Sequence, residues 1–91
     1  MSENTNLKIA LDNAIDLFNN NNLIECIEQL EEILTIHPNN LKALNMLLDI
    51  NIKINKAAEA LKIIQKLIRL EPNKKEHQEK LIKLHQFLND D

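Results

Sequence analysis

Four glutamates within eight residues, Glu25, Glu28, Glu31 and Glu32, are the first candidates for chemistry in this chain of 91 residues. Paired carboxylates do general acid–base work when a concave, desolvated site drives their pKa values apart. Steps of three and one along a helix instead lay these acids on a solvent face, so no catalytic role is expected of them. The single thiol, Cys26, falls on the tightly packed side of the same segment, where a small buried core residue is expected rather than a nucleophile. His37, His77 and His85 are the available imidazoles. His77 and His85 stand eight residues apart, about two helical turns, too far to share one ion without a third group between them. No Ser or Thr sits beside a base in a nucleophile pattern, and a chain with no Gly offers no Gly-rich phosphate loop. The expectation is a protein that is not an enzyme, with no metal and no cofactor.

The elements that carry these residues follow from two prolines. Pro38 sits in Leu34-Thr35-Ile36-His37-Pro38-Asn39-Asn40 and Pro72 in Ile68-Arg69-Leu70-Glu71-Pro72-Asn73-Lys74, thirty-four residues apart. A fixed period of that size signals a repeated helix pair that buries its apolar face only by stacking on a neighbour. Apolar residues recur at helical steps, as in Leu23, Ile27, Leu30, Ile33, Leu34 and in Ala57, Ala60, Leu61, Ile64, Leu67, Ile68. The pattern predicts five helices, over 7–18, 23–36, 41–52, 57–70 and 75–88, with breaks short enough to make neighbours antiparallel. No strand period is present. With no Gly, a turn that needs positive φ must use Asn, and Asn21 and Asn55 fall at matching positions between the helices of each pair. Cys26 and Ala60 match as the small residues at a close helix crossing.

Phase and proline together make the chain resemble the tetratricopeptide repeat family. With repeats starting at Leu7 and Leu41, Ala14 takes the small eighth position. Cys26 and Ala60 take the small twentieth, Leu30 and Ile64 the bulky twenty-fourth, and Pro38 and Pro72 the thirty-second. The chain departs from the pattern at Leu48 and Asn51, at Ile33 and Leu67 where Ala is usual, and at Ala10 and Leu44 where Trp is usual. The resemblance implies an all-α fold, a short right-handed α-solenoid of antiparallel helix pairs. Residues 1–6 would be a flexible N-terminus, 7–40 and 41–74 two repeats, and 75–91 a capping helix or truncated third repeat with a polar tail. His85 occupies a position where the family buries an aromatic, so its ring is expected to be partly buried.

The family also implies a concave surface lined by the first helix of each pair. Mapped onto this chain, its interaction residues are Leu11, Ile15, Phe18, Lys42, Asn45, Asp49, Ile52 and Lys83, with Lys8, Lys53, Glu76, Glu79 and Phe87 on the same surface. The subset of the family that grips the C-terminal carboxylate of heat-shock chaperones would use the positions of Leu11, Ile15, Met46, Glu76 and Lys80. Only Lys80 fits, and Glu76 would repel the carboxylate, so that ligand is not expected. Leu11, Ile15 and Phe18 instead add a second apolar stripe to the one formed by Leu7, Ala10, Ala14 and Leu17. Three such side chains left uncovered invite association, since fully burying each is worth about 1.5–3 kcal/mol. The expected function is an adaptor that binds a partner's peptide or helix in the groove. The alternative is a self-assembling structural unit, a homodimer through the first helix, or a scaffold domain of a larger complex.

Composition bounds the partner. Hydrophobic residues make up 44% and charged residues 27%, the balance of a folded chain. Net charge is −3, but residues 1–37 hold seven acids and one Lys whereas 38–88 hold ten bases and five acids. Opposed halves of this kind could draw copies together head to tail, or could simply be solvated helix faces. The basic half has almost no aromatics for stacking and its lysines alternate with acids, so nucleic acid is not an expected partner. The start lacks a basic n-region and no apolar run reaches membrane-spanning length, so no membrane association is expected. One cysteine makes no internal disulfide, and a reducing cytoplasmic setting is the expectation.

Overall fold

Five helices follow one another: α1 (Glu3–Asn19), α2 (Leu23–Ile36), α3 (Leu41–Lys53), α4 (Ala57–Leu70) and α5 (Lys75–Asn89). The structure, a computed structural model, describes residues 3–89 and their side chains from residue 5. The fold is all-α, as expected, and no strand occurs among the described residues. Of the expected flexible N-terminus, residues 1 and 2 lie outside that span, as do 90 and 91 of the polar tail. The remainder, 3–6, differs from the expectation: it is the first turn of α1, which the apolar period could not reveal because that turn is polar.

The chain divides into two compact units, Met1–Met46 and Leu47–Asp91, with the division inside α3. In the first, α1 and α2 form an antiparallel hairpin, the start of α1 lying beside the end of α2 around Leu7, Ala10, Ile33 and Ile36. Ala14, Cys26, Leu30 and Ile33 are its buried residues from these helices. The crossing is close at Cys26, whose Sγ–H donates to the Ala14 carbonyl at 3.2 Å and lies 3.9 Å from Met46 Sδ. A larger side chain would overpack there. In the second unit α4 and α5 are likewise antiparallel, with Ala57 and Ala58 beside Phe87 and Leu88. Leu48, Ile50, Ala60, Ile64 and Leu67 are fully buried.

The thirty-four-residue period is written into the backbone. Asn21 (φ 61°) and Asn55 (φ 64°) are both left-handed. Around the first, Asn22 N donates to Leu17 O at 2.8 Å and Asn21 N to Phe18 O at 3.0 Å. Around the second, Lys56 N donates to Asn51 O at 2.8 Å and Asn55 N to Ile52 O at 3.2 Å. This is the Schellman arrangement that satisfies the last carbonyls of a helix, and Asn serves where Gly would. The ends of α2 and α4 match too: His37 N donates to Ile33 O at 2.7 Å and Glu71 N to Leu67 O at 2.8 Å.

Two differences between the copies concern the helix starts and α5. Asn40 Oδ1 caps α3 by accepting from Ala43 N at 2.9 Å. At the matching place Lys74 has no side-chain acceptor, and His77 N turns to the Lys74 carbonyl at 3.2 Å. On α5 the face that earlier first helices bury lies open. Ala14 and Leu48 are 0% exposed, whereas Ile82 at the same repeat position is 58% exposed. Gln78 and His85, matching the buried Leu44 and Asn51, are exposed as well. The expected burial of the His85 ring is thus not realised. Buried instead is His77, which shares the register of buried Ala43, with Nε2 2.9 Å from Glu71 Oε1.

Candidate functional site

The expected interaction residues separate by unit. On α1, Leu11 and Phe18 are half-buried and Ile15 is exposed, next to the exposed Lys8–Asp12 pair at 3.2 Å. At the start of α3, Lys42 is exposed, and the Asn45 amide is turned back on its own helix, Nδ2 donating to the Leu41 carbonyl at 2.8 Å. In the second unit Asp49, Ile52 and Lys83 converge with residues that were not in the expected set.

That convergence is an open pocket of about 250 Å³. Ile52 from the end of α3, Ala57 from the start of α4, and Leu84 and Phe87 from α5 form its apolar walls. Asn55, Lys80 and Lys83 complete the lining. Three local features build it. The left-handed Asn55 reverses the chain tightly enough to bring the ends of α3 and α4 together. Ala57 is small where the first copy has Leu23, which leaves space beside Ile52. On α5, Lys80, Leu84 and Phe87 recur at four and three, so they share one side of the helix.

Its electrostatics are cationic. Lys80 Nζ reaches Asp49 Oδ1 at 3.5 Å, a pair with side chains 38% and 54% exposed, and an exposed pair of that kind is worth at most about 1 kcal/mol and is readily exchanged. Lys83 stands exposed at the rim. Phe87 is 57% exposed and Ile52 40% exposed, an unusual amount of apolar surface around one concavity. Of the eight expected residues, Ile52 and Lys83 line the pocket and Asp49 touches it through Lys80. Asn55, Ala57, Lys80 and Leu84 were missed as lining. A register comparison of Ala57 with Leu23 was the available signal.

The candidates for reaction chemistry are placed elsewhere. Glu25, Glu28, Glu31 and Glu32 are all exposed along α2. Cys26 is 0% exposed, and burial pushes its thiol pKa up, which keeps it protonated and unreactive. Among the described residues no three His, Cys, Asp or Glu side chains gather as a metal site would need. Nor is any helix among them long and apolar enough to cross a membrane.

No protein-family model and no curated protein matches the chain.

Proposed function

We propose that this chain is a non-catalytic protein–protein interaction module of tetratricopeptide type, an adaptor that takes an apolar side chain from a partner's peptide or helix into the second unit's pocket. The supporting observation is the pocket itself: Ile52, Leu84 and Phe87 around a cavity open to solvent, with two lysines at its mouth. An apolar cleft with a few polar groups at the edge is the form a side-chain anchor site takes. The lysines add a preference for a segment with an acid beside its apolar anchor. The doubled local backbone, with prolines, left-handed asparagines and small crossing residues in one register, supports the family reading. A buried, protonated thiol and the lack of a second cysteine are compatible with a reducing cytoplasmic setting.

The test is selection from a displayed random-peptide library on the purified chain. Enriched sequences should share an apolar residue with Asp or Glu within one helical turn. Ile52→Asp should weaken them by about ten- to a hundredfold, the equivalent of one lost apolar anchor. Selected peptides that bind Ile52→Asp as well as the unaltered chain would place recognition elsewhere.

A further inference from the structure

The geometry points to a second copy of this chain as an occupant of the pocket, its α1 docking through Ile15 with Asp12 and Asp16 against Lys83 and Lys80. Both halves of the contact are on the molecule. The first unit carries seven acids against two bases and the second nine bases against seven acids, so unlike units of two copies attract. On α1, Ile15 is 40% exposed, with Asp16 next to it in sequence and Asp12 three residues before. Asp12 and Asp16 stand four apart on α1, and Lys80 and Lys83 three apart on α5. Each pair therefore spans about 5–6 Å. Two carboxylates can meet two ammonium groups while Ile15 enters between Ile52 and Phe87. The ion pairs given up, Lys8–Asp12 and Lys80–Asp49, are exposed and weak. Because the two surfaces differ, a single such contact leaves one copy's pocket and the other copy's α1 still available.

Sedimentation of the full chain over concentration tests this. The unaltered protein should rise from its monomer mass of 10.6 kDa to the dimer or a larger species as concentration increases. About 0.5 M salt should weaken the association roughly tenfold relative to 0.05 M, since the rim contacts are screened. Lys80→Glu/Lys83→Glu and Asp12→Lys/Asp16→Lys chains should each stay monomeric alone, since α1 and pocket then carry like charge, and should associate again when mixed in equal amounts, because the α1 of each then meets a pocket of opposite charge on the other. Circular dichroism confirms that each variant folds. If the charge reversals disturb α1, Ile15→Gln is the replacement, and it should lower association at least tenfold. An unaltered chain that remains monomeric at millimolar concentration overturns the inference. So does a mixture of reversed chains that fails to pair. A monomeric chain that still binds selected peptides would refute self-docking alone and leave the adaptor reading intact.

Discussion

Cys26 shows how a single side chain is decided by its surroundings. Its repeat partner is Ala60, and both are fully buried where two helices cross. The thiol donates to a backbone carbonyl of the facing helix and is shielded from water, so its pKa lies above the ordinary 9.0 because burial disfavours the thiolate. The sign of the pH effect follows. In the unfolded chain the thiol loses its proton near its ordinary pKa, whereas in the folded chain it holds on longer. The unfolded state therefore binds fewer protons above pH 9.0, and stability falls there. Urea midpoints measured from pH 7 to 10 should drop more steeply above pH 9.0 for the unaltered chain than for Cys26→Ala. Parallel curves would mean that the thiol is not desolvated. The histidines teach the reverse lesson. The His85 ring was expected to be partly buried because it stands where the family resemblance implies an aromatic. Burial at that position depends on a covering second helix, and α5 leaves the face to solvent. His77 was overlooked although its register partner Ala43 is wholly buried.

At the scale of the element, the helices and their joints were legible because each depends on local chemistry. Pro38 and Pro72 close α2 and α4, and Asn21 and Asn55 take the left-handed turns for want of Gly. Pockets were not legible, because a concavity is defined by which neighbour fails to fill it. The hairpin of α1 and α2 holds an open cleft of about 300 Å³ with Leu7, Ala10, Ile33 and Ile36 on its apolar side and Asn6, Gln29, Glu32 and His37 completing the lining. The second copy has Leu44 at the position of Ala10, and that side chain is only 3% exposed. The missing bulk accounts for the space. Ala10→Leu should therefore fill it and stabilise the chain by about 1–2 kcal/mol, at roughly 0.8 kcal/mol per buried methylene. In thermal unfolding that is a rise of about 4–8 °C per kcal/mol for a chain of this size. An unchanged or lowered midpoint would mean the walls cannot accept the side chain, and overpacking would then be the dominant effect.

At the scale of the whole molecule the telling contrast lies between matching faces of α3 and α5. A helix face with no covering neighbour sits in water without inviting association only when it is polar. α5 takes the polar course. Around Ile82 that face carries Lys75, Gln78, Glu79, His85 and Gln86, all exposed, so a single isoleucine remains of what would be an apolar stripe. The proposed contact between copies therefore uses the other side of α5, where Lys80, Lys83, Leu84 and Phe87 gather. Leu48 and Ile82 hold the same repeat position and so make the sharpest comparison, at 0% and 58% exposed. Leu48→Ala should cost about 2–5 kcal/mol through lost burial and a residual cavity. Ile82→Ala should stay within about 0.5 kcal/mol and leave the sedimentation mass unchanged. Denaturant unfolding of the two variants reads the contrast directly. If Ile82→Ala were as damaging as Leu48→Ala, or shifted the mass, the open face of α5 would be an interface, and the copies would meet through it instead of through the lysine-rimmed pocket.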